Sequence, residues 1–260
     1  MELARAQAWS AAVIVVAALG FIAAERRWPY DRGQGLLRQG FWNDLLLYTF
    51  LQSWLAGMAI AHFAAWLDRA TAGRPAVVTE WPLWAQLLLF TVTHDLYIWW
   101  FHRLCHRNRV LWRLHEAHHS PRVVDWLSGA RSHVLEILIN GVVEFMPIIL
   151  LGAAPEVATY KGCLSAVYGM FIHANLDVRL GALGYILNGP ALHRWHHAER
   201  CEVRFRNFGT KLAIWDRLFG TAYEPDRRPL SYGLPYRFPA DDWLRQHLAS
   251  LRPFERRDVA

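Results

Sequence analysis

Cysteine is scarce in this 260-residue chain, with only Cys105, Cys163 and Cys201 present. They are widely spaced and odd in number, which argues against a disulfide framework, and no C-x-x-C suggests a redox dithiol or a c-type haem attachment. No G-x-G-x-x-G marks a dinucleotide-binding turn. Lysine is almost missing, and arginine supplies 26 of the 28 basic residues. There is no internal repeat and no low-complexity linker. The N-terminal apolar stretch lacks a strong basic n-region and runs directly into Glu25-Arg26-Arg27. It therefore reads as a retained helix rather than a signal peptide.

Apolar sequence is abundant. Hydrophobic residues make up 54% of the chain and mean hydropathy is +0.08, too apolar for an ordinary soluble enzyme and less apolar than a pure channel. That mixture suggests membrane helices carrying a polar head. Apolar segments run over about 9–24, 42–67, 84–101, 134–152 and 155–173, most of them near the ~20 residues that cross a bilayer. Only Ala153-Ala154 separates the last two, which predicts a tight helical hairpin. Trp9, Trp28, Trp42, Trp66, Trp81 and Trp84 cluster at segment ends, where interfacial aromatic belts form.

Charge placement gives the orientation. The net charge is +6, and the arginines flank apolar runs rather than lining a soluble aromatic face, so nucleic-acid binding is not expected. Arg26, Arg27, Arg32 and Arg38 follow the first segment, whereas the 70–81 loop carries only Arg74. Arg103, Arg107, Arg109, Arg113, Arg122 and Arg131 follow the third. The positive-inside rule makes the second and third segments a hairpin with cytoplasmic ends, the fourth and fifth another, and the N-terminus external. Arg113 and Arg204 are then cytoplasmic and Arg74 lies opposite. Near the C-terminus Trp243, Leu244, His247, Leu248 and Leu251 form a helical stripe, suited to the membrane interface or to packing on the head.

The thirteen histidines are concentrated in three boxes. His102 and His106 stand four apart, on one face of a helix. His115, His118 and His119 form H-x-x-H-H, a spacing that again predicts one shared helical face, and His193, His196 and His197 repeat it. The first of these also spells H-E-x-x-H, a zinc-protease pattern in which Glu116 would be the general base. The second box has Arg194 where the first has Glu116, so H-x-x-H-H is the shared element. A protease site would leave most of these histidines unexplained. Eight imidazoles are about twice what one tetrahedral ion uses, so two ions are expected, and imidazole alone does not name the metal. His62 and His247 read as ordinary hydrogen-bonded histidines, and His94 as a satisfied bundle histidine. Asp95 is an intramembrane carboxylate that needs a partner, and the expectation is that it orients a ligand histidine.

HRLCH, HEAHHS and HRWHH, in this order on paired hairpins, resemble the fatty acid hydroxylase/sterol desaturase superfamily of membrane di-iron enzymes. Asp95–Trp99 (D-x-Y-x-W), Arg131–Glu136 (R-x-H-x-x-E), His173–Asp177 (HANLD) and the 207–223 segment (NFG…WDRLFGTAY) extend the resemblance over 84–223. It implies an all-α polytopic bundle with a cytoplasmic histidine-rich di-metal head. It makes the eight box histidines iron ligands, with His173 as a ninth. His133, followed by Val134 where the family usually has proline, is placed with Asp95, Glu116 and Asn175 among residues that support the ligands. The 207–223 segment closes the head beneath the metals. The chain divides into an N-terminal helix and loop (1–41), a catalytic domain (42–223) and a cytoplasmic tail (224–260).

The chemistry implied is O2 activation at two irons and hydrogen abstraction from an unactivated C–H bond of a lipid. Zinc is readily accepted by such all-imidazole sites on purification. No b5-type H-P-G-G or Fe–S cysteine pattern is present, so a separate ferredoxin- or cytochrome b5-like donor is expected to dock on the arginine-rich face. The location implied is the bacterial inner membrane or the endoplasmic reticulum. The two competing classes are a zinc hydrolase using HEAHH and a non-enzymatic membrane metal-binding protein.

Overall fold

The computed structural model describes residues 1–199, 203 and 205–252; Cys201 and Arg204 lie outside them. Among the described residues there is no strand, only three isolated antiparallel bridges. Five long helices make the body: α1 (Glu2–Arg27), α2 (Asn43–Ala70), α3 (Leu83–Arg107), α5 (Val134–Leu150) and α6 (Pro155–His173). Short helices α4 (Arg109–His115), α7 (Pro190–His196), α8 (Ile214–Leu218) and α9 (Trp243–Leu248) belong to the head.

The five helices coincide with the five apolar segments, with two differences. The first ten residues of α2, Asn43–Gln52, wind as a π-helix, a geometry that periodicity does not announce. Helix α3 continues past its apolar stretch to Arg107, which carries His102 and His106 out of the bundle into the head. By length and composition α1 and α2 suffice to cross a membrane. Helix α5 is strongly apolar but has only 17 residues, and α3 and α6 place polar residues such as Asp95 and Lys161 in the interior. Helix α1 packs along α6, α2 along α5, and α3 against both α5 and α6. Pro155 starts α6 at a position where its missing N–H costs nothing.

At the end away from the head, Val78, Phe90, Ile148 and Val157 form a buried cluster. The 70–81 loop is stitched there to the α5–α6 turn: Val77 and Val78 N–H donate to Leu151 O, and Arg74 Nε donates to Ile149 O at 2.8 Å. Nearer the head, Phe41, Trp126 and Leu127 pack on Ala18, Phe21, Ile22 and Met170.

Between the two clusters the bundle holds a polar triad, one residue from each interior helix. Lys161 on α6 pairs with Glu144 on α5 and donates to Nδ1 of His94 on α3 at 2.9 Å. His94 is thus a bundle histidine bonded at Nδ1, and its buried Nε2 has no hydrogen-bond partner among the described residues. Removing one partner of a buried ion pair leaves an uncompensated charge, whereas replacing both is far cheaper. Lys161→Met is therefore expected to destabilise the protein by about 3–5 kcal/mol. The double variant with Glu144→Leu should recover most of it. Unfolding in detergent micelles checks this, and a double variant no more stable than Lys161→Met would contradict it.

Helix α9 packs on the head, and its stripe is split between a buried and an exposed side. Gln246 and His247 are buried against the head, where Tyr48 OH donates to Gln246 Oε1 at 2.8 Å. Leu244, Leu248 and Leu251 face outward.

Candidate metal centre

Helix α4 begins at Asn108, whose Oδ1 accepts from the N–H groups of Val110 and Leu111 at 2.9 and 3.1 Å. Such a cap typically contributes ~1 kcal/mol, and here it fixes the direction in which the chain reaches the first H-x-x-H-H box. The helix ends at His115, and His118 and His119 lie in the turn beyond it. The expectation that all three share one helical face is thus corrected. Consecutive side chains in this turn diverge, so His118 and His119 aim at different places. In the second box His193 and His196 lie on α7 and His197 caps it.

The consequence is two clusters that cut across the boxes. Ligating atoms of His102, His106, His115, His119 and His196 lie within 4.8 Å of one another. Those of His118, His173, His193 and His197 do the same. All nine are buried. Each H-x-x-H-H box feeds both clusters, which ties α4 and α7 together through either one.

The ring tautomers are set from outside. Backbone carbonyls only accept, so a ring nitrogen facing one must carry the proton. His102 Nδ1 donates to Phe208 O at 2.8 Å, His118 Nδ1 to Arg131 O at 3.0 Å, His173 Nδ1 to Gly169 O at 2.8 Å and His196 Nδ1 to Arg206 O at 2.9 Å. His115 Nδ1 meets the Glu136 carboxylate at 3.0 Å. In each ring the Nε2 lone pair is then directed inward. Nε2 of His102, His115, His119 and His196 is buried without a hydrogen-bond partner among the described residues. In the other cluster Nε2 of His173, His193 and His197 stand 3.0, 3.1 and 3.2 Å apart.

Converging lone pairs repel, and each orphaned buried nitrogen costs about 1–3 kcal/mol. A cation reverses both terms. Imidazole nitrogens bind a first-row metal at about 2.0–2.1 Å, so ligands of one ion sit roughly 3 Å or slightly more apart. The residues fit a metal at each cluster. Burial and the neighbouring rings push the imidazoles of His118, His119, His193, His196 and His197 well below their ordinary value, and burial takes His115 to about 3. These rings are neutral at physiological pH, the form that coordinates metals.

Loops hold this arrangement closely. A Cβ on Gly129 would meet the His173 ring at 2.5 Å, so only glycine fits there. Asn207 adopts φ 57°, and its Nδ2 donates to Leu192 O and Tyr223 O at 2.8 and 2.7 Å. Asp216 accepts from the N–H groups of Phe208 and Gly209 and from Trp99 Nε1. The 207–223 segment thereby presents the Phe208 carbonyl to His102.

The residues expected to support the ligands fall differently. Asp95 touches no histidine ring; it accepts from Thr210 Oγ1, the N–H groups of Lys211 and Leu212, and Trp215 Nε1, at 2.8–3.0 Å. It lies two turns before His102 on one face of α3, too deep to reach a ligand ring, and anchors the segment that does. Glu116 bonds Tyr236 OH and pairs with Arg252 at 2.7 Å. His133 caps α5 through Leu135 N–H at 3.1 Å and packs on His247, outside both clusters. Asn175 Oδ1 accepts from Asp31 N–H, and its own N–H donates to Glu25, which fixes the turn after His173. Glu136, part of the R-x-H-x-x-E string, is the residue that sequence reasoning misses, although a carboxylate on an apolar helix is itself a signal. It also groups with Cys105 and His115, in keeping with its bond to the His115 ring.

A family model described as fatty acid hydroxylase matches residues 87–221, a little over half of the chain. The chain belongs to the fatty acid hydroxylase family. Ornithine lipid hydroxylase OlsE of Rhizobium tropici is 31% identical over 224 residues, covering 83% of this chain and 67% of that protein. Human alkylglycerol monooxygenase is 32% identical over 55% of this chain, which spans 31% of that protein. Rat methylsterol monooxygenase 1 is 28% identical over 53% of this chain and 46% of its own length. No solved structure matches. Its relatives are thus hydroxylases and monooxygenases by name, and this chain is a helical membrane protein of their family. All nine cluster histidines fall within the 87–221 match.

Proposed function

We propose that the chain is an O2-dependent di-iron oxygenase that hydroxylates or desaturates a membrane lipid with electrons from a separate protein donor. The observation that carries this reading is the convergence of nine buried imidazoles into two clusters of five and four. One iron would be held by His102, His106, His115, His119 and His196, and the other by His118, His173, His193 and His197. When bound, the two irons supply dioxygen activation and the oxidising power to break an unactivated C–H bond.

The chain's own residues do the rest. Phe208, Arg131, Gly169, Arg206 and Glu136 hold five rings in the tautomer that presents Nε2 inward. Burial of all nine histidines excludes bulk water from the reacting region. The lipid approaches from the bilayer between the hairpins. Helices α1, α2, α3, α5 and α6 are taken as five spans, with the head on the cytoplasmic side. Glu116 gives the zinc hydrolase little support, because its carboxylate is engaged by Arg252 and Tyr236.

Metal analysis tests the reading. Protein produced in iron-replete cells should carry two irons per chain and consume O2 in a reductant-dependent way. One zinc with reductant-independent hydrolysis would favour the hydrolase, and exchangeable metal without turnover a binding protein. Because Arg113 is buried, accessibility reporters at exposed Arg109 on the same helix should place that helix on the cytoplasmic side, and a reporter at Arg74 should lie on the other. Histidine boxes found outside would overturn both the orientation and the cytoplasmic donor.

A further inference from the structure

Two runs of aromatic rings leave the five-histidine cluster, and among the described ring contacts neither reaches the other cluster. The longer passes from Phe208 to Trp99 and Phe219, with ring centroids 6.1 and 4.4 Å apart, and ends at exposed Phe219 and Trp100. That end carries Arg103, whose guanidinium stands 5.2 and 5.5 Å from the Trp99 and Trp100 ring centres, and the path to it passes through more rings than the second run does. The shorter is a single pair. Trp112, only 4% exposed, lies with its ring centroid 5.1 Å from His106, 5.4 Å from His119 and 6.3 Å from His115. Its Nε1 donates to Tyr236 OH at 3.1 Å.

Tyr236 is half-buried and reaches the surface between two clefts. One cleft is shared with His106, His119 and His196. The other is shared with Arg122 and Arg237, both exposed. The Arg252 guanidinium stands 5.9 Å from the Tyr236 ring centre. Two linked aromatic side chains therefore connect an arginine-rimmed surface to three imidazoles of one cluster.

We propose that Tyr236 and Trp112 form the electron entry port of the enzyme, and that an acidic one-electron carrier protein docks over Tyr236 against Arg122 and Arg237. This rests on the redox reading above and adds the place of entry, and the five-histidine cluster as the one first reduced. The electron leaves the reduced carrier, which is oxidised by one electron, and an iron held by His102, His106, His115, His119 and His196 would accept it and be reduced by one. Trp112 and Tyr236 bridge the gap and are unchanged after each transfer. Positive rim charges steer an acidic partner and make its association salt-dependent.

The test uses the full iron-loaded chain in lipid nanodiscs, mixed without O2 or lipid substrate with a reduced plant-type ferredoxin. Oxidation of the ferredoxin is followed by stopped flow. In the wild type the second-order rate should fall steeply as salt is raised. Arg122→Glu with Arg237→Glu should lower it by about tenfold or more at low salt, within the range that steering supplies. Tyr236→Leu and Trp112→Leu should lose the fast phase even at saturating ferredoxin, with iron content unchanged. Should Trp112→Leu fail to hold iron, Tyr236→Leu, in a half-buried loop, still decides. Wild-type rates in iron-loaded Tyr236→Leu would overturn the port, as would a wild type reduced by dithionite and not by ferredoxin. A wild type that takes electrons from neither would remove the redox reading and the port with it.

Discussion

Alanine at His193 is expected to abolish turnover as completely as alanine at His115, although the two belong to different boxes and different clusters. His193 Nε2 stands 3.0 Å from His173 Nε2 and 3.1 Å from His197 Nε2, so its loss opens the four-histidine cluster. His115 belongs to the other five. Under the di-iron reading, each single variant should retain one ion well and the other poorly, and iron per chain should fall from two towards one. Activity should reach background in both, because the chemistry needs both ions. In a zinc hydrolase built on HEAHH, His193 would lie outside the site and its alanine variant would stay active. Iron content and turnover measured on both variants separate the cases; near-normal activity in His193→Ala would refute the two-cluster assignment.

The second large effect is expected at Glu136 rather than Glu116. Glu136 accepts from His115 Nδ1 at 3.0 Å, so Glu136→Leu strips a ligand ring of its acceptor and frees its orientation. Loss of such a partner typically costs 10–100-fold in metal affinity or activity. Glu116 touches Tyr236 and Arg252 and no ligand ring through its hydrogen bonds. Glu116→Gln keeps a group able to accept from Tyr236 and should lose less than Glu136→Leu. A general base would behave otherwise, since its removal costs about 10²–10⁴-fold. Iron affinity and turnover of the two variants, measured side by side, are the check. A dead Glu116→Gln beside a healthy Glu136→Leu would favour the hydrolase instead.

Much of this architecture is legible in the sequence, and the parts that are not share a cause. The five long helices follow from runs of apolar residues, a local property. The nine histidines stand out by spacing and by likeness to the family. Which of them meet is not local: His118 and His119 are adjacent in sequence and part company because the chain leaves helix α4 at His115. Asp95 invites a role at a ligand because an intramembrane carboxylate needs a partner. Its partners, Thr210 to Trp215, lie more than a hundred residues away. Glu136 bonds a ring twenty-one positions before it, across a turn and a loop that no periodicity describes. The carbonyls of Phe208 and Arg206 are invisible in any sequence, since every residue carries one. The left-handed Asn207 that helps to aim them is a backbone property as well.

The most direct test of the central claim is lipid mass spectrometry on cells given dioxygen labelled with heavy oxygen. Cells expressing the wild type are compared with cells expressing His193→Ala. The account predicts a lipid present only with the active protein, either gaining one oxygen atom that carries the label or losing two hydrogens. A lipid change in which the new oxygen comes from water, or an identical lipid profile in the two strains under iron-replete aerobic growth, would contradict it.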